Sequence, residues 1–461
     1  MHEGSINKSM ISGRKVLCLI DGEHYPPVTR DAMKSIEISG AEIVGAVFIG
    51  GTEKIVDAEK ELGGEGGWRI FQPEISDRSL FELIERAVDA SKPEIVLDLS
   101  DEPVVDYFKR FRIGSVLLKK EIVYMGADFS FSPPVMEKVL TSPSISIIGT
   151  GKRVGKTAVG VYISRLLKKS GHDPVVVCMG RGGPPEPEVV DPAEYELTPD
   201  TLIEVARRGG HAASDYWEDA LLGQVITVGC RRCGGGMGGD PFFSNVVEGA
   251  KIADELPGEV VVMEGSGATF PPVATDSRIV IAGAGQPLEN IIRFYGEYRI
   301  LISELAIVTM CEEPVASPGK VRDIYEGIKS INPDIRVALT VFRPDPLGDI
   351  RGKRVFVATT SRSDVNDSIR NHLEESHSCR VVGISNHLSD RPRLKSDLRD
   401  GLPEAEILLT EIKAASIDVA AVEAEKAGLG IVFLNNTPVL TGGNIDSLDD
   451  EILGIIRKIR G

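Results

Sequence analysis

A chain of 461 residues with 42% hydrophobic and 26% charged residues exceeds one ordinary core and suits two or three domains. Its formal charge of −17 argues against general nucleic-acid binding, so any anion it holds must meet local clusters of Lys and Arg. The start MHEGSINKSMISGRK has no apolar leader-like run, and no later apolar run approaches the roughly 18 residues of a spanning helix, which predicts a cytoplasmic protein with no membrane partner.

Short β-branched runs alternate with amphipathic stretches, the pattern of an α/β fold with a mostly parallel sheet covered by helices. In chain order, KVLCLIDG, AEIVGAVFIGG, PEIVLDLSD and SVLLKKEIVYMG predict the strands of a smaller N-terminal α/β domain over 1–135, which ends at the loop ADFSFSPPV. A helix over PPVMEKVLTS then leads into SISIIGT and a larger domain over 136–461. Its later strands are predicted at DPVVVCMG, GEVVVMEGSG, SRIVIAG, ELAIVTMC, IRVALTVF, KRVFVATTS, CRVVGIS, AEILLTE and GLGIVFLNN. Several end in Gly, Ser, Thr or an acidic residue, at the carboxyl edge where open α/β sheets place their ligands. Cysteines at 18, 178, 230, 233, 311 and 379 sit mostly in apolar settings and predict reduced core thiols.

The segment SISIIGTGKRVGKTAVG carries the chemistry. Gly149, Gly151 and Gly155 permit a tight turn whose backbone N–H groups point inward; Lys156 reaches β/γ-phosphate oxygens and Thr157 meets a divalent cation at the helix start. This is a P-loop, and it predicts a P-loop NTPase core in the larger domain. The strict pattern wants glycine where Thr150 stands, so the loop counts one residue longer from Gly149. Gly149, Thr150, Gly151, Lys152, Arg153, Val154, Gly155, Lys156, Thr157 and Ala158 are the expected nucleotide-binding residues.

Downstream, Arg181 and Gly182 in RGGPPEPEVVD, and Arg231 with Arg232 in CRRCGGGMGGD, lie among glycines that let guanidinium groups and backbone amides converge on one polyanion. Lys152, Lys156, Arg181, Arg231 and Arg232 are the candidate catalytic cations. Cys230 and Cys233 form a CxxC, with no second pair at zinc spacing, so they are expected to support the loop. Asp215 is a candidate second metal carboxylate or a helix cap, with Asp191 and Asp200 as competitors. His24, after the first strand in LIDGEHYPP, either touches substrate phosphate or fixes its own loop. The segment TMCEEP, 309–314, is a candidate base contact, and Lys413 another substrate cation.

The spacing GTGKRVGKT resembles the loop of dethiobiotin synthetase and related amidoligases, and VVVMEGSGA resembles their strand ending in a metal-holding glutamate, which puts Glu264 beside Thr157 and Asp215 as metal ligands. The whole chain resembles the cyclic 2,3-diphosphoglycerate synthetase family, an archaeal group, through LCLIDGEHYPPV, RGGPPEPEVV, GCRRCGGGMGGDPFFSNV, MEGSGAT, VVGISNHLSDR and LLTEIKAASIDV. The resemblance implies an ATP-dependent ligase that closes 2,3-bisphosphoglycerate into its cyclic phosphoanhydride, with Mg²⁺, ATP as co-substrate and K⁺ as an accompanying ion. Closing two dianions into one ring needs several converging cations, which makes Arg181, Gly182, Arg231, Arg232 and His24 the expected substrate-binding residues, and a homodimer is the expected assembly. Two other classes remain: a carboxylate-activating ligase on the same scaffold, and a nucleotide-switch ATPase. The switch class usually carries a lysine five residues before the P-loop lysine, where this chain has Gly151.

Overall fold

The computed structural model describes residues 8–461 except 56, 64–66, 75–76, 78, 195–197, 199–200, 203, 205–214 and 414. Asp200 therefore lies outside the described residues. The chain divides into two units, Met1–Pro134 with Ile292–Ile302, and Val135–Ile291 with Ser303–Gly461.

The first unit is a sheet of β1 (Lys15–Ile20), β2 (Glu42–Phe48), β3 (Ile70–Phe71), β4 (Ile95–Asp98), β5 (Val123–Met125) and β6 (Ser130–Phe131), in the order β3-β2-β1-β4-β5-β6. All neighbours are parallel except β5 and β6. The run SVLLK, expected in a strand, is instead the end of helix Tyr107–Lys119. Asp106 caps that helix by accepting from the Lys109 N–H at 2.7 Å, and Ile113 and Leu117 bury themselves one turn apart, so helical spacing overrides local β propensity. The inserted 292–302 segment belongs to this unit because Tyr295 packs edge-on against Phe111 and Phe131, with ring centroids 5.2 Å apart in both pairs.

The second unit opens on Val135–Pro143, expected as a helix and found extended. Its amides are claimed elsewhere: Glu137 N–H donates to the Pro272 carbonyl at 3.0 Å, and the amides of Thr141 and Ser142 donate to the Asp254 carboxylate. Val139 and Leu140 meanwhile pack on a buried apolar cluster, so the segment satisfies its backbone without helical bonds.

Its strands are β7 (Ser144–Gly149), β8 (Pro174–Gly180), β9 (Glu188–Val190), β10 (Ile226–Cys233), β11 (Phe243–Ser244), β12 (Val260–Glu264), β13 (Ser277–Gly283), β14 (Leu305–Thr309), β15 (Arg336–Pro346), β16 (Arg354–Ala358), β17 (Arg380–Ser385), β18 (Ile407–Thr410) and β19 (Gly430–Gly443). They pair in the order β11-β10-β8-β12-β7-β13-β14-β15-β19-β18-β16-β17, with β9 beside β10. From β10 to β15 the neighbours on this path are parallel, as they are from β19 to β17. The join between β15 and β19 is antiparallel.

That single reversal shapes the unit. β14 pairs with the start of β15, ending at Val308 opposite Leu339, whereas β18 ends beside Phe433, one residue past the Leu434–Pro346 pair. The two parallel half-sheets therefore present their carboxyl edges toward each other, separated along the ribbon by 340–346, about 23 Å at a strand's rise per residue. The P-loop half is held by the core between β7 and helix Lys156–Lys169, where Val159, Ile163 and Leu167 form one stripe against Ile145, Ile147, Ile279 and Ile281. No helix among the described residues is long and apolar enough to cross a membrane.

Candidate active site

The P-loop follows β7 and runs into helix Lys156–Lys169. Its far side is braced: Thr150 N–H donates to the Ile281 carbonyl at 3.0 Å, the Thr150 hydroxyl donates to Gln286 Oε1 at 2.6 Å, and Thr309 Oγ1 donates to the Val154 carbonyl at 2.8 Å. Thr150 thus fills the place of the missing glycine by tying the loop to β13. Lys156 folds back over the loop, with Nζ donating to the Gly151 carbonyl at 2.9 Å. Burial pulls the Lys156 ammonium down to about 8, opposed by the nearby Glu264 and Asp215 charges.

Glu264 ends β12 and is 3% exposed. It lies against Gly160, one turn into the P-loop helix, where any Cβ would collide with its Oε1. Among the described residues Oε1 makes no hydrogen bond, nor do the two carboxylate oxygens of Asp219, and one ligand atom each of Glu264, Asp219 and Cys178 lie within 4.8 Å of one another. Burial first, then the charge of Asp215, pushes the Glu264 carboxyl up to about 8. Asp215 opens helix Asp215–Gly223 and lines the cavity, close enough to act electrostatically on both Lys156 and Glu264. Asp219, four residues along the same helix, is the carboxylate that stands beside Glu264, and the sequence reading missed it. Helical spacing from Asp215 was the available signal. Asp191 accepts from the Ala193 N–H at 2.8 Å, a turn contact of its own loop.

The cations separate. Gly267, at φ +63°, leaves room where a Cβ would lie 3.0 Å from an Arg181 guanidinium nitrogen and 3.6 Å from one of Arg232, so these two groups flank one point after β12. Arg232 is anchored there, donating to the carbonyls of Gly234 and Ser266 at 2.8 Å each. Arg181 and Arg232 both act on Lys156. Arg231 does not join them. Arg231 and Arg232 lie in the end of strand β10 and the glycine-rich loop starts only after Cys233, so the adjacent arginines point to opposite faces. Arg231 lies over the Phe243 ring at 5.7 Å, while its backbone N–H donates to Asn245 Oδ1. The same pleat separates buried Cys230 from exposed Cys233, so the CxxC does not converge on a metal.

A cavity of about 1220 Å³ lies over this edge. Lys152, Arg153, Val154, Gly155, Lys156, Thr157, Ala158, Arg181 and Gly182 line it, and so do Met310 and Glu312 of the expected base-contact segment. Glu312 is held by the Arg343 guanidinium through two bonds of 2.6 and 2.8 Å. Lys413 lines the cavity but is tied to Glu218 at 2.6 Å, which raises its pKa despite burial. In the first unit, His24 Nδ1 lies 2.8 Å from Asp21, whose other oxygen accepts from the Asp101 N–H, so His24 is a loop-fixed imidazole at the end of β1.

Comparison with known proteins matches this arrangement to three family models in succession: cyclic 2,3-diphosphoglycerate synthetase N-terminal domain over residues 15–132, P-loop domain over 144–341, and C-terminal domain over 346–437. The last boundary falls within β15. The cyclic 2,3-diphosphoglycerate synthetases of Methanothermus fervidus and Methanothermobacter thermautotrophicus are each 48% identical over 445 residues, 96% of this chain and 97% and 96% of theirs. The protein of that name from Rubrobacter xylanophilus is 46% identical over 96% of this chain and 97% of its own. Among solved structures, LpxK from Aquifex aeolicus in complex with ATP aligns with a TM-score of 0.40 at 14% identity, over 70% of this chain and 90% of its own.

Proposed function

The chain belongs to the cyclic 2,3-diphosphoglycerate synthetase family, and we propose that it joins the two phosphates of 2,3-bisphosphoglycerate into an internal anhydride, converting ATP to ADP and phosphate. The observation that carries the reading is that Lys156 and Arg181 line one edge of a cavity large enough for nucleotide and acceptor together, with the Arg232 guanidinium behind the Ser266–Gly267 turn of that edge. Bringing two dianions together costs about 4 kcal/mol for each unit-charge pair at 4 Å and an effective dielectric of 20, so the reaction needs converging cations in a fixed site.

The γ-phosphoryl passes to an oxygen of one substrate phosphate, breaking its bond to ADP. An oxygen of the neighbouring phosphate then attacks the inner phosphorus, and inorganic phosphate leaves as the ring closes. The 149–158 loop holds the triphosphate through its N–H groups, Lys156 follows charge onto the transferred group, and Arg181 takes the equatorial oxygens. Arg232 positions the Ser266–Gly267 turn beside them. Thr157, Glu264 and Asp219 would hold Mg²⁺, with Asp215 at the rim, and the unpartnered oxygens of Glu264 and Asp219 fit an oxygen-liganded cation. When bound, the cation neutralises the β- and γ-phosphates. K⁺ as a further activator and a homodimeric assembly complete the reading, checked by a monovalent-ion series and by light scattering.

A ³¹P spectrum of the protein with Mg-ATP and 2,3-bisphosphoglycerate tests it. The expected result is the cyclic product with equal ADP and phosphate. AMP, or ADP and phosphate without cyclic product, would overturn it.

A further inference from the structure

The cavity has two polar edges, and only one belongs to the P-loop half-sheet. The other is built by the segments that follow β16, β17 and β18, where Thr360, Arg362, Arg391 at the start of helix Arg391–Gly401, and Glu411 line the same space. We infer that this second edge is the acceptor site, and that Arg362 and Arg391 hold the phosphate of 2,3-bisphosphoglycerate that is not being activated. The inference rests on the proposed cyclisation.

Size is the first argument. A single drug-sized ligand occupies roughly 300–1,000 Å³, and this cavity is about 1220 Å³. The strand register supplies the second: the two carboxyl edges face each other across 340–346 of β15, so a ligand on each would meet over the ribbon.

The second edge is also preorganised. The Glu411 carboxylate is 7% exposed and accepts from Thr359 Oγ1 at 2.7 Å, Thr360 N–H at 2.9 Å, Thr360 Oγ1 at 2.7 Å and Asn436 Nδ2 at 3.2 Å. Four donors on one buried carboxylate fix the Thr359–Arg362 turn, and hence the base of the Arg362 side chain.

Charge decides what the edge takes. On the P-loop side, Lys156 is bonded to its own loop, Arg232 to two carbonyls, Lys152 and Arg153 belong to the nucleotide loop and Arg181 is placed on the transferred group, so the phosphate that is not activated is left to the cations of the other edge. Across the cavity, Arg362 pairs with Asp364 at 2.5 Å and Arg391 with Asp418 at 2.6 Å, their side chains 70% and 54% exposed. Exposed pairs of this kind contribute little to stability and are screened by water. A phosphate dianion, which accepts two parallel guanidinium bonds, displaces a single carboxylate at little cost.

The test is Arg362→Gln with Arg391→Gln in the full-length enzyme. The expected result is a rise of at least tenfold in KM for 2,3-bisphosphoglycerate with KM for ATP within twofold. Titration calorimetry of 2,3-bisphosphoglycerate onto the protein should show a matching loss of affinity. Arg362→Lys and Arg391→Lys should recover part of it, and unchanged melting curves would confirm the fold. Unaltered binding of the bisphosphoglycerate, or equal losses for both ligands, would overturn the assignment. Failure of the wild type to form cyclic product would instead sink the proposed reaction, while the calorimetric comparison would still locate the anion.

Discussion

Lys413 and Glu218 are the residues whose pairing is most exposed to a simple experiment. Glu218 is buried on the helix beside the P-loop and Lys413 is its cation at 2.6 Å. Lys413→Met strands the carboxylate and should cost about 2–3 kcal/mol in denaturant melts, toward the low side because the lysine is partly open to water. Lys413→Met with Glu218→Gln should recover most of that loss; a double variant as unstable as the single one would mean the lysine acts through packing. Glu264 gives a second prediction. Its folded pKa is raised from 4.5 to about 8, so the folded protein keeps this proton where the unfolded chain has lost it. The associated stability is full below 4.5 and is lost as pH rises through about 8. In metal-free buffer, Glu264→Gln should therefore melt progressively higher than wild type as pH goes from 6 to 8.5. Parallel curves would remove the buried carboxyl as the cause.

At the scale of elements, helix Lys156–Lys169 is fitted to β12 through one missing methyl group. Gly160→Ala adds about 1 kcal/mol of helix propensity. The new Cβ nevertheless strikes the Glu264 carboxylate, so the carboxyl must move. We predict weaker Mn²⁺ binding by electron paramagnetic resonance and a raised Mg²⁺ requirement, with thermal stability no higher than wild type. Binding equal to wild type would show that Glu264 does not need that seat. The P-loop and the strands around it were legible because runs such as VVVCM and IVIAG are apolar on both faces, as buried parallel strands are. Arg231 was not, because convergence was read from neighbouring letters, and a strand's period of two sends neighbours apart. Asp219 was missed for the opposite reason: residues four apart on a helix share a face but nothing in their immediate neighbours marks them.

For the whole molecule, the reversal between β15 and β19 was hidden because β19 is the last strand of the chain and pairs with β15 only in the folded protein. Turn chemistry and local periodicity carry no information about such a pairing. It makes both edges of the cavity depend on one ribbon, so nucleotide and bisphosphoglycerate should together protect the amides of 340–346 and 434–440 from hydrogen exchange more than the sum of each ligand alone. Additive protection would mean that the two edges are energetically separate. The floor of the cavity is two strands wide, whereas each half-sheet beside it is broader. Two-stranded ribbons twist more than wide sheets, which makes this floor a torsion bar: a few degrees per residue pair would swing one phosphate-binding edge against the other with the ladder intact. If that twist admits substrate and releases product, stiffening the ribbon should slow turnover, measured as kcat, without touching a single group that meets phosphate.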